Sequence, residues 1–470
     1  MLSLSYKPNT YQTADNLLPT GNSLYQSRPG FSQVVEGNIQ RAVSWETTCL
    51  LELYGGLYIW DRGILEKLGK NASLQLSASP FMALKTLSNR EKRLYVGNGE
   101  TLFYIRRETI DDGTTVKHFL IHTFENELTD KDNKSYKLPQ ADIVATWHNR
   151  LWAADGTNII YHCTNDKPNH WDPINAIAIQ GGSQSTVTGL FPLGDRLIIS
   201  TPASLWQITG NSPYNWQVNQ VVYGHGAINT EAGTTDGHRF YYMDGQGIYE
   251  LGRMESVSDP IKKLFETPDS TASLQLDSKG IYLYALINRR LMVYNTHAQY
   301  WGEIKPSNPD DTFKGIIIIG GNMAVYGDNG LWLESSDYAP DCLLNGEEQP
   351  VSSKLRSWSI QPNEYGSAAL NRIYINVEGG YQGTADYRVY KNRQSAPIAE
   401  DRFSTWLFIP QELPINKEEI LYREGSEQHF IEIPLNISAK TFEHEVEAKG
   451  FIKFHGFDPR YQFTERIDKA

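Results

Sequence analysis

Two short apolar runs joined by a turn recur along most of this chain, and that recurrence restricts the fold more than any single motif. The clearest copy is Arg150–Thr164, RLWAADGTNIIYHCT. Leu151-Trp152 and Ile159-Ile160-Tyr161 are bulky, aromatic or β-branched, as strands favour. Asp155-Gly156 tolerates the positive φ of a tight turn, so the stretch reads as a β-hairpin. An isolated hairpin neither buries its apolar face nor closes its edges, and repetition answers both needs.

Comparable first strands contain Leu57, Leu94, Leu151, Leu197, Phe240, Ile281 and Ala324, at steps of 37, 57, 46, 43, 41 and 43 residues. A second register runs with the first: Trp171 follows Leu151 by 20, Trp216 follows Leu197 by 19, and Trp301 follows Ile281 by 20. That spacing leaves room for two strands and a turn before an aromatic on the next strand. Four-stranded units of this length are how β-propeller blades look in sequence, because each blade packs its faces on its neighbours around an axis. Seven units fit the count, six or eight fit the spacing, and a large sandwich or a β-helix is the competing architecture. The content of 12% aromatic residues and 38 Gly also favours strands and turns over helices.

The expected organisation is all-β. Residues 1–31 form an extended arm, NLLPTGNSLYQSRPGF at its end, which either finishes a sheet or reaches a neighbouring subunit through Leu17, Leu18, Tyr25, Arg28 and Phe31. The propeller spans 32–345. Its long step of 57 falls at 106–139, read as an extra hairpin and polar loop projecting from one rim, with Arg106, Arg107, Asp111, Asp112, His118, His122, Asp130 and Asp132 as candidate contacts to a partner or gate. A tolerated surface elaboration is the plain alternative. After a junction at 335–353, residues 354–470 read as a small antiparallel β-sandwich, with Ile373, Ile375 and Val377 on the buried face of one strand.

Chemistry is hard to find in this pattern. Gly315–Asn322 lacks the lysine of a phosphate loop and reads as a core strand. Asp130–Lys134 has Lys134 at a ligand position and Ala141 where a calcium loop needs Glu. His118 and His122 on one strand are about 13 Å apart, too far for one ion. Cys49, Cys163 and Cys342 are isolated, which excludes a disulfide framework or zinc cage. There is no G-x-S-x-G elbow and no sialidase-type repeat box. His225, between Gly224 and Gly226, is the histidine to inspect first. No enzymatic activity, cofactor or metal is expected. Without an export signal or an apolar run of about 20 residues, the chain is expected to be soluble, made in a cytoplasm and not inserted in a membrane, which makes the sequons at Asn71 and Asn436 chance matches. The net charge of −12 argues against a general phosphate binder, though not against a surface past which nucleic acid slides.

The arm, with Asn16-Leu17-Leu18 followed by Arg28-Pro29-Gly30-Phe31, and blades such as RLWAADGTNIIYHCTNDKPNHWDP and RLIISTPASLWQITGN resemble the tail-hub or nozzle proteins of short-tailed bacteriophages, also described as packaged-DNA stabilisation or head-completion proteins. The resemblance covers 16–340; the segment after 354 departs from it. It implies a structural protein of the virion tail, assembled in the host cytoplasm as a ring of copies, usually six, below the portal and adaptor proteins. Fibre, spike or needle proteins would lie alongside or below. Double-stranded DNA would be retained above the ring and then pass through without sequence recognition. Two other readings stand beside it: a carbohydrate-binding or depolymerising tail propeller for receptor recognition, and a cytoplasmic repeat scaffold.

Overall fold

The computed structural model describes residues 11–20, 25–68, 81–86, 92–97, 102–109, 117–124, 141, 143–180, 186–253, 255–266, 272–306, 313–335, 351–357, 359–362, 367–379, 384–404, 429–450 and 452–463. Almost every element is a strand. The chain divides into two compact units: Val34–Arg289 with Thr312–Leu333, and Met1–Gln33 with Arg290–Asp311 and Glu334–Ala470.

The first unit is the propeller. Its blades are consecutive antiparallel sheets, such as Ile39–Trp45, Thr48–Leu53, Gly56–Asp61 and Ile64–Lys67 in the first blade. The opening strands of successive blades stand side by side: Phe81–Thr86, Ile143–Trp147, Gly189–Leu193, Gly233–Thr235, Ser273–Leu276, Phe313–Ile319 and then Ile39–Trp45. Among the described residues the ring therefore has seven members. It is joined between the seventh and first blades by Ile317, Ile319 and Tyr326 packed on Leu51, Leu53 and Trp60. The last blade takes its fourth strand, Phe31–Glu36, from the beginning of the chain. This locks the ring with a strand from the opposite end of the repeat series.

The hairpins form where the sequence supplies residues able to take positive φ. Tyr54-Gly55 (53° and 70°), His148-Asn149 (47° and 54°) and Gly320-Gly321 (59° and 93°) each make a two-residue turn between paired strands. One correction concerns length alone. The two-residue turn before Arg150 is His148-Asn149; Arg150–Ala154 and Ile159–His162 pair as the hairpin read from the sequence, and Asp155-Gly156 begins a four-residue loop between them. Asp155 still orders that loop, its carboxylate accepting from the Thr157 N–H (3.1 Å) and hydroxyl (2.6 Å). Among the spaced tryptophans, Trp301 lies on a strand, Tyr300–Ile304, while Trp216 immediately precedes one and Trp171 sits in a loop. Trp171 and Trp216 wedge between adjacent blades, packing against Tyr104 and Cys163 in one cleft and Trp147 and Trp152 in the next.

A second correction concerns 106–139. Leu102–Thr109 and Lys117–Thr123 are not an added hairpin. They are the third and fourth strands of the second blade, paired in order after Phe81–Thr86 and Lys92–Gly97. Residues 125–140 lie outside the described residues.

The second unit is a β-sandwich. One sheet runs in the order Arg290–Asn295, Tyr300–Ile304, Tyr11–Asp15, Ser352–Ser357, Phe442–Lys449, Thr384–Lys391, Ala399–Ser404; the other runs Leu17–Pro19, Tyr25–Ser27, Ile452–Phe463, Ala368–Gly379, His429–Ala439. Tyr387, Val389 and Val446 from the first meet Ile373, Ile375, Val377 and Phe454 from the second in one core. His444 is sealed in it between the Tyr387 and Tyr461 hydroxyls, 2.7 and 3.1 Å away, and burial lowers its pKa to about 3. The sandwich thus includes the arm and Arg290–Asp311, which a linear division at 31 and 345 assigns elsewhere.

The outer face of the first sheet carries an ion-pair lattice. Glu445, with 1% of its side chain exposed, meets Lys354 (3.0 Å), Arg356 (3.5 Å), Arg388 (3.2 Å) and the Tyr390 hydroxyl (3.1 Å). Burial by itself would raise its pKa; Lys354, Arg388 and Tyr390 outweigh that and hold the carboxyl below its ordinary range. A depressed carboxylate stabilises the fold above its unfolded pKa and loses that contribution as pH falls through the folded value. Glu445→Gln is expected to reduce stability at pH 7 by about 2 kcal/mol. Denaturation midpoints followed downward in pH should show the difference from wild type closing in the acid range.

Candidate functional site

The arm forms a clasp centred on Asn16. Asn16 turns the chain between two strands at φ 54°, a conformation asparagine tolerates better than most residues. Its side-chain oxygen accepts from Arg28 Nε (3.0 Å) and the Lys305 N–H (2.8 Å), and its amide donates to the Ser352 carbonyl (2.8 Å). Its main chain is engaged too: the Asn16 N–H donates to Glu303 (2.5 Å), and its carbonyl accepts from the Arg28 N–H (3.0 Å). Three segments far apart in sequence meet at one amide side chain. Arg28 is 2% exposed, also donates to the Pro29 carbonyl (2.9 Å) and lies over the Phe31 ring at 5.2 Å. Leu17, Leu18, Tyr25 and Phe31 are buried within the same unit, and the Tyr25 hydroxyl donates to the Trp301 carbonyl (3.1 Å). The arm finishes a sheet of its own chain.

In the propeller, His225 lies in the loop that leads from the fourth blade to the fifth. Its Nδ1–H donates to Asp244 Oδ2 (2.5 Å), and its ring packs on Tyr249 at 4.7 Å. The other oxygen of Asp244 accepts from the Gln246 and Gly247 N–H groups (2.7 and 2.8 Å). One buried carboxylate thereby shapes a turn and fastens the incoming loop to it. That accounts for His225 as a tether. Downstream of it, Asn229 donates to the Ala272 carbonyl (3.0 Å) and Thr230 to the Thr188 carbonyl (3.0 Å), so this turn bridges the inner ends of the fourth and sixth blades. Glu231 within it is pushed upward by burial, with Arg41 of the first blade pulling the other way. No group of three or more His, Cys, Asp or Glu is placed to hold a metal among the described residues.

No family model and no curated protein matches the chain. Among solved structures, the WD40 β-propeller domain of Doa1 aligns with a TM-score of 0.42 at 8% identity, over 66% of this chain and 97% of that one. The extracellular domain of the putative one component system BT4673 from B. thetaiotaomicron aligns with a TM-score of 0.41 at 12% identity, over 72% of this chain and 46% of that one. A chain of the Mitotic Checkpoint Complex aligns with a TM-score of 0.37 at 12% identity, over 72% and 98% respectively.

Of the partner-loop residues, Arg106, Arg107, His118 and His122 lie on two adjacent strands of the second blade. Arg107 pairs with Asp61 of the first blade and covers the Phe119 ring at 4.5 Å. Half-buried Arg106 lies on the same strand, opposite Leu120. His122 stacks on Tyr104 at 5.1 Å, and His118 sits opposite Glu108 in the strand register. Asp111, Asp112, Asp130 and Asp132, like Cys342, lie outside the described residues. Cys49 and Cys163 are free and buried, and burial pushes the Cys163 thiol up to about 12. Asn16 was invisible as a hub in the sequence. Its partners Lys305 and Ser352 are some three hundred residues away, and a lone Asn before Leu-Leu-Pro signals only a turn.

Proposed function

We propose that this chain is a structural component of a short-tailed phage virion, a nozzle subunit whose copies form a ring below the portal and adaptor and enclose the path of the packaged DNA. One observation carries the reading most. The two halves of the arm that resemble that family, Asn16-Leu17-Leu18 and Arg28-Pro29-Gly30-Phe31, form one interlocked clasp through the Asn16–Arg28 bonds. The resemblance therefore falls on residues with a shared structural task. The DNA path in this proposal is the space enclosed by the ring of copies. Within the propeller, the Asn229–Ala232 turn ties the fourth blade to the sixth. With 55 acidic against 43 basic residues, the subunit offers duplex DNA little to bind, which suits a conduit.

Electron microscopy of the purified full-length chain is expected to show closed rings, and mass spectrometry of purified particles should find the chain at several copies per portal ring. A chain absent from particles would end the proposal.

A further inference from the structure

We propose that the cleft between the fourth and fifth blades binds a planar aromatic ring of indole size. The neighbouring clefts of the same propeller show what such a cleft takes. Between the third and fourth blades, the Trp216 indole lies 5.0 Å from Trp152, 4.8 Å from His162 and 6.2 Å from Trp147, ring centre to ring centre, with the Arg150 guanidinium over it at 5.6 Å. One cleft earlier, Trp171 packs in a cluster with Tyr95 and Tyr104, and the Arg93 guanidinium lies over Tyr104 at 4.3 Å. Each tryptophan comes from the later blade, in the segment leading to its fourth strand: Trp171 before Ala176–Ala178, Trp216 before Gln217–Tyr223.

The strand register repeats this socket one blade further on. In the third blade Trp147 pairs with Arg150, and Trp152, two residues on, pairs with His162. In the fourth, Leu193 pairs with Arg196, and Ile198, two residues on, pairs with Gln207. Arg196 thus stands where Arg150 does, and Leu193, Ile198 and Gln207 stand where Trp147, Trp152 and His162 do. The fifth blade supplies no wedge to match. Among the described residues it has three strands, Gly233–Thr235, Phe240–Met243 and Ile248–Glu250, followed by the short 3-10 helix Asp259–Phe265. The sequence has no tryptophan between Trp216 and Trp301.

The cleft accordingly keeps a cavity of about 410 Å³, bounded by Leu193, Arg196 and Gln207 of the socket and by Val221, Phe240 and Leu251. Its size is that of small-molecule sites, roughly 300–1,000 Å³. The mixed lining selects the ligand. Leu193 and Phe240 are buried and offer apolar contact to a ring face, and Arg196, half-buried, is placed as Arg150 is, over the ring. Gln207 Oε1 accepts from Arg196 Nη1 (3.3 Å) and has a second lone pair for a ring N–H. A saturated ring of the same bulk would cover Arg196 and Gln207 while giving their polar groups nothing in return. The site does not rest on the virion role, and its test is the same whether or not the chain is found in particles.

The test is fluorine NMR of fluoroindole titrated with the full-length chain. Saturable line broadening is expected, with a dissociation constant of about 1 mM or tighter. Unlabelled indole should displace the probe and cyclohexanol should not. Leu251→Trp carries an indole into the cleft from the fifth blade, as Trp216 does from the fourth, and is expected to abolish binding; Gln207→Trp serves if that variant does not fold. Arg196→Met keeps the length of the side chain and removes its charge, and should weaken binding by about threefold or more. N-acetyltryptophanamide identifies the source of the ring: tighter binding than indole assigns it to the side chain of a bound peptide, weaker binding to a free small molecule. A wild type without saturable binding, equal displacement by cyclohexanol, or binding unchanged in the tryptophan and Arg196→Met variants would overturn the site.

Discussion

Asn16→Ala is expected to lower the stability of the sandwich unit by about 4 kcal/mol, three hydrogen bonds at about 1 kcal/mol each and about 1 kcal/mol for an alanine in the left-handed region. The bonds lost are those from Arg28 Nε and the Lys305 N–H, and the one to the Ser352 carbonyl. Arg28 makes the loss larger than an ordinary surface substitution, since its guanidinium is buried with Asn16 as one of its acceptors. Asn16→Gly separates the two contributions, because glycine takes φ 54° at no steric cost while losing the same three bonds. It should recover about 1 kcal/mol relative to alanine. Hydrogen exchange at Leu17–Pro19 and Tyr25–Ser27 reads the effect locally. Exchange rates in Asn16→Ala equal to those of wild type would mean that the clasp does not hold the arm.

Gly226→Ala is expected to destabilise the propeller by about 3 kcal/mol or more, through overpacking against main chain that has no room to yield. A methyl group there would lie inside contact distance of the Thr201 carbonyl oxygen and 2.8 Å from that of Ser204. Relief requires moving the loop, which breaks the bonds holding its next residue: Ser200 Oγ from the Ala227 N–H (2.7 Å) and the Ala227 carbonyl from Thr188 Oγ1 (2.6 Å). It would also draw His225 away from Asp244. Gly245→Ala is the matched control, since a Cβ there meets nothing within 4 Å. Urea denaturation should show a large fall for the first and a change within about 0.5 kcal/mol for the second. Equal effects would remove the packing argument.

Several features of the fold were legible because they are local. The alternation Ile373, Ile375, Val377 predicted a buried face, and all three side chains are fully buried. The repeat of apolar pairs predicted seven units, and seven opening strands stand around the ring. Asp155-Gly156 marks the connection of the hairpin that forms, with Gly156 at φ 75°, whereas the His148-Asn149 turn carries no comparable signal in the sequence. The supposed insertion failed. A long polar step looks like an added element, although its first half completes the second blade.

The candidate site was less legible. Arg28 and Phe31 stood out as punctuation of an arm, but nothing in the sequence says that Arg28 turns inward to Asn16.

By itself, then, the sequence determined strand identity and the existence of a second β unit, and narrowed the blades to between six and eight, because period-two burial and turn chemistry act over a few residues. Only the tertiary structure decided that Phe31–Glu36 completes the last blade and that Asn16 joins segments near 28, 305 and 352. The physical reason is range. Ring closure and buried polar clasps bring together groups hundreds of residues apart, and no local pattern in a single chain encodes which of them will meet.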